Sequence, residues 1–477
     1  MLLATAIPIA GPSYRKRASN PNSQPKEACI GCPGVWSIPD PYNTLNNADW
    51  NITYGPTQPQ QLHFSFASDT AYARFQFSTL AASPRSYLKY WPVEQQGEPT
   101  IVTTEDWTFV DGGAQHRQLY MHQATTKRLE AGCKYQYQVG SQSSTTGSVQ
   151  WSPIYDFHTA SNSEEFEFLI AGDLGVSKAV ALPHLITATQ SQNYDFIVNV
   201  GDQAYDFADF DGVKGDQYMN MMQAVYGRLS YQGVQGNHEI AYDGSHYKNR
   251  FKTVPYEESG YKNPLLYSYN HKSIHFVFFS TELYFPGTYS DNEQELREAL
   301  AWLENDLSSV DRNKQPWIIF VTHRPIYCTA EKEGCTNEGE MIRNGKIGKD
   351  GKRWGALEPI LQNHKVDLYL SGHVHSYERT WPVADNRATS MDYENPSSMV
   401  ALIVGNAGEP QGNAGYNPTF EEQFPDWKAF HYAGYGFSTV KASPSSLEFT
   451  HIEAKLDGSL GSVIDQFTIH KEQDTEN

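Results

Sequence analysis

The sequence predicts an α/β domain built on two sheets, preceded by an all-β sandwich. From Ser163 onward, apolar runs typical of buried strands alternate with helical stretches, the order expected of an α/β sandwich. Between Asn51 and Ala160, short segments alternate instead between polar and apolar residues, as strands with one buried face do. A chain of 477 residues is also too long for one compact core, so we expect two or three domains.

Residues 1–50 are predicted to be a leader followed by an extended arm. The apolar residues 1–10 are followed, not preceded, by the basic residues 15–17, so they fit either a short or incomplete signal peptide or a disordered leader. Residues 13–49 are rich in Pro, Asn and Ser and show no sustained period, which predicts an extended or disordered surface arm. Across the whole sequence, no apolar run approaches the ~20 residues that a membrane-spanning helix needs.

Residues 51–160 are predicted to form the all-β sandwich. Residues 61–66 show the period of a strand, and residues 134–139 place three apolar or aromatic side chains on one face, namely Tyr135, Tyr137 and Val139. The turn at residues 129–135, which enters that strand, resembles the tyrosine corner of a fibronectin-type or immunoglobulin-like sandwich. We therefore expect a fibronectin-like domain here.

Residues 161–477 form the predicted α/β domain. Residues 290–293 are a capping box, and a leucine stripe with helical spacing follows it at Leu296, Leu300, Leu303 and Leu307. We expect this stripe to face the core instead of a partner. The C-terminal segment 399–470 returns to short strands and is predicted to complete the second sheet of the domain.

Five polar clusters of the α/β domain each lie at or near the end of an apolar run, where an open sheet presents ligands at the carboxyl ends of its strands. They read GDLG at 172–175, GDQAY at 201–205, GNHE at 236–239, VTH at 321–323 and GHVH at 372–375. They contribute seven oxygen and imidazole donors, Asp173, Asp202, Tyr205, Asn237, His323, His373 and His375. A donor set without thiolate suits iron, zinc or manganese and disfavours a structural zinc cage.

Seven ligands are too many for one metal ion and about right for two. A carboxylate such as Asp202 can bridge two ions held roughly 3.5–4 Å apart, a spacing that spans a phosphate. One trivalent and one divalent ion would leave a residual charge of about +1, which attracts phosphate and lowers the pKa of a bound water toward ~7. The predicted nucleophile is therefore a metal-bound hydroxide.

His238 lies next to the predicted ligand Asn237 and is not needed to complete either metal site. An imidazole near its ordinary pKa is suited to protonate a leaving alkoxide, so we predict His238 as the general acid. The alternative is that His238 only orients its neighbours. In either case we expect Asn237 and His238 to contact the substrate.

The order of these motifs resembles that of the purple acid phosphatases in the calcineurin-like metallophosphoesterase superfamily. The resemblance extends over residues 51–470, and the tyrosine is its most discriminating element. It implies that a ferric ion is held by Asp173, Asp202, Tyr205 and His375. It implies that a divalent iron, zinc or manganese ion is held by Asp202, Asn237, His323 and His373, with Asp202 bridging. It also implies a fibronectin-like domain in front of the catalytic domain.

The chain departs from the plant members of that family in one loop. Plant enzymes carry an adjacent histidine pair shortly after the histidine equivalent to His323, whereas residues 327–335 contain no histidine. Residues 323–328 are more similar to animal-type or microbial long-form members. Cys328 and Cys335 lie in this loop, and either a disulfide or two free thiols is compatible with the sequence.

Three further cysteines and one sequon bear on the cellular compartment. Cys29 and Cys32 form a C-x-x-C that lacks the context of a redox or zinc motif, so we expect a local or terminal disulfide. Cys133 is predicted to be a core residue or a partner of one of them. Asn51 begins an N-x-T sequon and is the predicted glycosylation site. Together these features favour a secreted or extracellular protein, or a vacuolar or lysosomal one.

The sequence thus predicts an acid phosphatase that acts on phosphate monoesters, with a phosphorylated small molecule or phosphoprotein as substrate. The alternatives are a phosphodiesterase or phosphoprotein phosphatase on the same metal core, or a non-catalytic secreted binding protein. A net charge of −19 argues against nucleic acid as a partner. The Gly-rich residues 405–415 lack the pattern of a nucleotide loop, so we expect a surface loop, with a role at the substrate rim as the alternative.

Overall fold

A computed structural model describes most of the chain from residue 53 to residue 472. The described residues are 53–94, 98–191, 193–285, 292–329, 333–348, 350–409 and 425–472. The predicted leader and arm, the Asn51 sequon, Cys29 and Cys32, and residues 290–291 of the capping box lie outside them.

Nine strands form the N-terminal region of the described chain. They are β1 (Gln60–Phe66), β2 (Ala73–Thr79), β3 (Ser86–Pro92), β4 (Thr100–Thr103), β5 (Glu105–Val110), β6 (Gln118–Thr125), β7 (Lys134–Gln142), β8 (Val149–Trp151) and β9 (Tyr155–His158). One sheet has the order β1-β2-β6-β5, and the other has the order β4-β3-β7-β8 with β9 also paired to β7. No helix interrupts this part of the described chain, which is therefore all-β.

The core of this region contains the residues that the alternating pattern predicted. Tyr135, Tyr137 and Val139 of β7 are buried and pack with aromatic side chains of β1 and β2. The backbone N–H of Glu130 donates a hydrogen bond of 3.0 Å to the hydroxyl of Tyr135. A tyrosine hydroxyl bonded to backbone a few residues upstream is the contact of a tyrosine corner. The fibronectin-type assignment itself stays a prediction.

The α/β region follows, with seventeen strands and six helices in the described chain. The strands are β10 (Phe166–Ala171), β11 (Phe196–Asn199), β12 (Ser230–Gly233), β13 (Leu266–His271), β14 (Ile274–Phe279), β15 (Trp317–Val321), β16 (Lys346–Ile347), β17 (Arg353–Trp354), β18 (Leu368–Ser371), β19 (Tyr377–Thr380), β20 (Val383–Ala384), β21 (Arg387–Ala388), β22 (Val400–Val404), β23 (Lys428–Tyr432), β24 (Gly436–Ala442), β25 (Ser446–Ala454) and β26 (Leu460–His470). The helices are α1 (Leu182–Ser191), α2 (Val213–Tyr226), α3 (Ala241–Arg250), α4 (Asn292–Ser308), α5 (Gly339–Asn344) and α6 (Glu358–Asn363). Short helical turns lie at Asn237–Glu239, Thr281–Tyr284 and Glu333–Glu338.

Two mixed sheets organise this region. The first has the order β12-β11-β10-β24-β25-β26, and the second has the order β13-β14-β15-β18-β22-β19-β23. Strands β10, β11 and β12 are parallel to one another, and so are β14, β15, β18 and β22. Since parallel strands end at the same edge of a sheet, the polar clusters after β10, β11, β12, β15 and β18 lie at two sheet edges. The predicted fold class, an α/β sandwich preceded by an all-β sandwich, is confirmed.

Helix α4 packs as the leucine stripe predicts. Leu296, Leu303 and Leu307 are buried, and Leu300 is partly buried against the same core. The large core joins side chains from both sheets, and the central strands β10, β14, β15 and β22 are apolar along nearly their whole length.

Two expectations about the periphery need correction. The segment after Met399 does not complete one sheet: β22 and β23 join the seven-stranded sheet, whereas β24, β25 and β26 extend the six-stranded one. Cys133 precedes β7 and is only partly buried at the edge of the β-sandwich core, so it is not a core residue. The alternative, pairing with Cys29 or Cys32, stays a prediction because both lie outside the described residues. Sγ of Cys133 lies 3.8 Å from Oε2 of Glu130. Within the described residues, no helix is long and apolar enough to cross a membrane.

Candidate metal centre

Four of the predicted ligands have left-handed backbone conformations at the ends of their strands. Their φ angles are 56° at Asp173, 47° at Asp202, 54° at Tyr205 and 67° at His373. For non-glycine residues such angles cost of order 1–3 kcal/mol each, and they cluster where a structure aims side chains for function. The sharp turns direct these side chains into one site above the sheet edges.

The motif glycines allow the close approach of neighbouring ligands. A Cβ atom on Gly236 would lie 2.2 Å from Oδ1 of Asp202, and a Cβ on Gly372 would lie 2.3 Å from Oδ2 of Asp173. Both separations are far below van der Waals contact, so a side chain at either position would displace a carboxylate. The glycines of the GNHE and GHVH motifs are therefore part of the site geometry.

Asp202, Asn237 and His323 converge on one point. Nε2 of His323 lies 3.2 Å from Oδ2 of Asp202 and 3.1 Å from Oδ1 of Asn237. On its other side, Nδ1 of His323 lies 2.8 Å from the carbonyl oxygen of Val200. Since a carbonyl only accepts, Nδ1 carries the proton in the neutral ring, and the lone pair of Nε2 faces two oxygen acceptors.

Three acceptor atoms that face one another require a cation between them. Without a metal, a proton takes that place: burial alone would lower the pKa of His323, but the charge of Asp202 and its hydrogen bond raise it to about 10. The ligand atoms of Asp202, His323 and His373 all lie within 4.8 Å of one another. This donor set fits a transition-metal ion, with the Val200 carbonyl fixing the histidine tautomer.

Tyr205, Asp173 and His375 form a second group of donors. The hydroxyl of Tyr205 lies 2.9 Å from Nε2 of His375 and 3.2 Å from Oδ1 of Asp173. Nε2 of His375 is 3.6 Å from the same Asp173 oxygen. A phenol, a carboxylate and an imidazole at these separations can all ligate one ion.

Burial controls the ionisation of this second group. It raises the pKa of Tyr205 well above its ordinary value, and the charges of Asp173 and Asp202 raise it further. Burial likewise raises the pKa of Asp173. In the metal-free protein Tyr205 is therefore a neutral phenol, and a strongly Lewis-acidic ion is needed to ionise it.

His373 contacts an ion-pair network that the sequence did not indicate. Its Nε2 lies 3.0 Å from Oε2 of Glu338 and 3.0 Å from Nη1 of Arg324. Arg324 is buried, pairs with Glu338, and makes a bidentate ion pair with Glu282 at 2.7 and 3.0 Å. Burial would raise the pKa of Glu338, but the His373 hydrogen bond and the Arg324 charge lower it to about 2.

His238 lies between the two groups of donors and has a carboxylate partner of its own. Nδ1 of His238 is 3.0 Å from Oδ1 of Asp206, and its Nε2 is 4.0 Å from Oδ2 of Asp202. Its ring centroid is 4.5 Å from that of Tyr205. Burial would lower the pKa of His238, but the charge of Asp202 and the Asp206 hydrogen bond raise it to about 9 in the metal-free protein. The imidazole is therefore placed to donate a proton from Nε2.

Glu239 supports the turn that presents Asp202 and Asn237. Its buried carboxylate accepts hydrogen bonds from the backbone N–H groups of Asp202 at 3.0 Å, Gln203 at 2.8 Å and Gly236 at 2.8 Å. These bonds join the clusters after β11 and β12, which explains why an acidic residue follows the GNH sequence.

The described part of the Gly-rich segment is not a surface loop, contrary to expectation. Residues 405–409 are buried beside Asp173. Glu409 N donates a 2.8 Å hydrogen bond to the Asp173 carbonyl, and a Cβ on Gly405 would lie 3.1 Å from Asp173 Oδ2. The segment needs small residues because it packs against a ligand. Residues 410–415 lie outside the described chain.

The cysteine pair after His323 forms a disulfide, which resolves the alternative left open by the sequence. Cys328 and Cys335 are bonded and buried. The disulfide joins the strand end that carries His323 to the turn that carries Glu338.

The site also contains residues that sequence patterns did not single out, namely Asp206, Glu282, Arg324 and Glu338. None of them occupies a motif position. Asp206 directly follows Tyr205 and Arg324 directly follows His323, and this adjacency was the available signal. Glu282 and Glu338 lie in segments that carry no motif.

Comparison with known families divides the chain into three matches. Residues 59–159 match the family described as purple acid phosphatase, N-terminal domain. Residues 166–377 match calcineurin-like phosphoesterase, and residues 398–466 match iron/zinc purple acid phosphatase-like protein C.

Whole-chain relatives agree with these matches. Acid phosphatase type 7 of Mus musculus is 32% identical over 421 residues, which cover 86% of this chain and 91% of that protein. Purple acid phosphatase 22 of Arabidopsis thaliana is 28% identical, covering 81% and 79% of the two chains. A purple acid phosphatase from yellow lupin seeds superimposes with a TM-score of 0.70 over 87% of this chain and 75% of that one, at 23% identity, and shows the same fold.

Proposed function

Because this chain belongs to the purple acid phosphatase family of calcineurin-like phosphoesterases, we propose that it is an acid phosphatase that hydrolyses phosphate monoesters. We further propose a dinuclear centre of one ferric and one divalent ion, the latter iron, zinc or manganese. The observation that carries the proposal is the convergence of three acceptor atoms. Asp202 Oδ2 and Asn237 Oδ1 lie 3.2 and 3.1 Å from Nε2 of His323. Such a set binds a cation.

The proposed ligands divide between the two ions as follows. The ferric ion is assigned to Asp173, Asp202, Tyr205 and His375, and the divalent ion to Asp202, Asn237, His323 and His373. Two bound ions would polarise the phosphoryl group and lower the pKa of a coordinated water. In His373 the ring nitrogen available to bind the metal is Nδ1, because Nε2 already contacts Glu338 and Arg324.

His238 is assigned the role of general acid. Its Nδ1–H donates to Asp206, and this bond turns Nε2 toward the site, 4.0 Å from Asp202. A protonated Nε2 can donate a hydrogen bond to a phosphoryl oxygen and then transfer its proton to the departing alkoxide. The amide nitrogen of Asn237 can donate to the same phosphoryl group while Oδ1 faces the metal.

The disulfide supports a location in an oxidising compartment, as proposed for a secreted, extracellular, vacuolar or lysosomal enzyme. Glycosylation of Asn51 and the fibronectin-like character of the N-terminal domain belong to the same proposal. The domain limits are proposed as 1–50, 51–160 and 161–477.

The test combines metal analysis with a substrate panel. The purified protein should contain two metal ions per chain and hydrolyse small-molecule phosphate monoesters faster than phosphate diesters and phosphoproteins. Asp202→Ala should reduce bound metal from two ions toward one or none, because it removes the bridging carboxylate. Asn237→Ala should be milder, since a neutral amide is the weaker ligand.

The control is Asp392→Ala, which removes a carboxylate at an exposed turn and should leave both ions in place. Two ions and full activity in Asp202→Ala would refute Asp202 as the bridging ligand, and fewer than two ions in the wild-type protein would refute the dinuclear site. Faster diester or phosphoprotein hydrolysis would favour the rival phosphodiesterase or phosphoprotein phosphatase, and no hydrolysis at all would favour the binding protein.

A further inference from the structure

The chain from Asp202 to the start of α2 has an unusual density of left-handed residues. The φ angles are 47° at Asp202, 54° at Tyr205, 91° at Asp206, 56° at Phe210, 52° at Asp211 and 80° at Gly212. We call residues 202–213 the metal loop, since it presents two proposed ligands and the carboxylate partner of His238. Strained backbone of this kind persists only where surrounding contacts hold it.

One end of the metal loop is held from within the α/β region. Nζ of Lys214, in the first turn of α2, donates to the carbonyl oxygen of Tyr205 and lies 3.0 Å from Oδ2 of Asp209. Arg250 of α3 donates from Nη2 to the carbonyl of Gly212 at 3.2 Å. None of these three contacts is made to Asp211, near the C-terminal end of the loop.

Asp211 of the metal loop is held from the N-terminal sheets. The turn between β5 and β6, residues 111–117, is called the clamp turn. Its Gln115 N–H donates to Oδ1 of Asp211 at 3.1 Å, and Arg117 Nη1 lies 3.5 Å from the Asp211 carbonyl oxygen. A Cβ on Gly113 would lie 2.4 Å from the same Asp211 carboxylate, so the turn packs against it closely.

Buried charges tie the clamp turn to the helices behind the loop. Arg117 pairs with Asp216 of α2, whose other oxygen lies 2.8 Å from Arg250 Nη2. Asp111 Oδ2 lies 2.6 Å from Nε2 of His246 in α3. Asp111, Asp216, His246 and Arg250 are all buried and Arg117 is partly exposed, so most of this network is shielded from water.

We propose that the clamp turn is a positioning element of the catalytic site, acting through Arg117 and Asp211 on the metal loop that presents Tyr205 and Asp206. This inference rests on the proposed function for its catalytic consequence. The N-terminal sheets then do more than cover the α/β region, because they hold the loop in a conformation that it would not retain alone. Arg117, Asp111 and Gln115 touch no reacting group and are positioning residues.

The test uses Arg117→Ala with a matched control, Arg74→Ala. Arg74 also projects from the N-terminal sheets into the α/β region, where it pairs with Glu258 and contacts the carbonyls of Thr253 and Val254 at 3.5 and 3.4 Å. It makes no contact with the metal loop. Both variants lose one guanidinium across the same boundary.

The first measurement is amide hydrogen exchange in the full-length, metal-free protein, so it does not depend on the proposed chemistry. Exchange at residues 203–213 should accelerate about tenfold or more in Arg117→Ala, because local opening of the loop becomes easier. Amide exchange at the same residues should keep its wild-type rate in Arg74→Ala. Unchanged exchange in Arg117→Ala, or equal acceleration in both variants, would overturn the proposal.

The second measurement uses the iron-loaded enzyme. In Arg117→Ala kcat should fall about tenfold with little change in KM, since misplacement of positioned groups affects the reacting geometry. The visible band of the metal-bound tyrosine should shift in the same variant and not in Arg74→Ala. A wild-type kcat and band in Arg117→Ala would count against the clamp. If the wild-type protein itself has neither band nor phosphatase activity, the proposed function fails, whereas the exchange result still decides the positioning role.

A milder variant covers the case in which Arg117→Ala does not fold. Arg117→Lys keeps a charge beside Asp216 but has one arm fewer for the Asp211 carbonyl. Exchange at residues 203–213 should then be faster than in wild type. Wild-type exchange in a folded Arg117→Lys protein would overturn the positioning role of Arg117.

Discussion

Oε2 of Glu338 lies 3.0 Å from Nε2 of His373, so the proposed ligand of the divalent ion has a carboxylate partner on the nitrogen away from the metal. A carboxylate in this position accepts the ring N–H, fixes the tautomer and leaves Nδ1 for coordination. Arg324 holds Glu338 in place and is itself held by Glu282. Arg324 and Glu338 lie on either side of the loop that the Cys328–Cys335 disulfide closes.

Replacing Glu338 by Gln should weaken binding of the divalent ion about 10–100-fold, the usual effect of losing such a partner. The reason is that a neutral amide does not polarise the imidazole as a carboxylate does. Divalent metal affinity should be measured by competition with a chelator. Glu340→Gln is the matched control, since Glu340 is nearby but exposed and pairs only weakly with Arg353, at 3.5 Å. Equal affinity in wild type and Glu338→Gln would contradict the prediction.

Tyr205→Phe should abolish the broad visible absorption band expected of a phenolate bound to ferric iron. Its hydroxyl contacts His375 and Asp173, whereas the ring can remain packed, so the fold should survive. Visible spectra of iron-loaded wild type and variant provide the measurement. Tyr432→Phe, whose hydroxyl binds Glu453 outside the site, should keep the band. Unchanged colour in Tyr205→Phe would remove Tyr205 from the ligand set.

His238→Asn should lower kcat by ~10²–10⁴ while both metal ions stay bound, as expected for the loss of a general acid. The loss should be larger for alkyl phosphates than for aryl phosphates, because activated leaving groups depart without a proton. Steady-state kinetics on the two substrate classes, with metal analysis, is the measurement. An equal loss on both classes would mean that His238 orients the phosphate and that the acid lies elsewhere.

The buried His451 should make the protein less stable as pH falls from about 6.5 toward 4. Burial lowers the pKa of His451 to about 3. The folded state therefore binds fewer protons than the unfolded state below pH ~6.5, and stability is lost there at about 1.4 kcal/mol per pH unit.

His451→Gln should remove this contribution and flatten the pH dependence of the free energy of unfolding between pH 4 and 6. The variant should also be less stable at pH 7, since His451 stacks on Tyr377 with ring centroids 4.0 Å apart. Urea unfolding at several pH values measures both effects, with His470→Gln as the control at an exposed position. A pH slope equal to that of wild type would show that His451 does not govern it.

The sequence was most informative about residues whose chemical role is marked by the local structure of their neighbours in the chain. Asp173, Asp202 and His323 each follow an apolar run that is a strand of the structure, so they could be identified from neighbours in the chain. The leucine stripe of α4 and the alternation of β7 were likewise local patterns, and the structure places both in a core. Motif order was specific enough to indicate the family before any distance was known.

Only the tertiary structure decided which distant residues support those ligands. Glu338 reaches His373, the clamp turn reaches Asp211, and residues 405–409 pack on Asp173, although nothing in the local sequence of these segments predicts it. The division of the C-terminal strands between two sheets was also undetermined, since strand patterns do not name their partners. Period and propensity depend on neighbours in the chain, whereas these contacts depend on how the two sheets and the N-terminal sandwich pack, which brings together residues far apart in sequence.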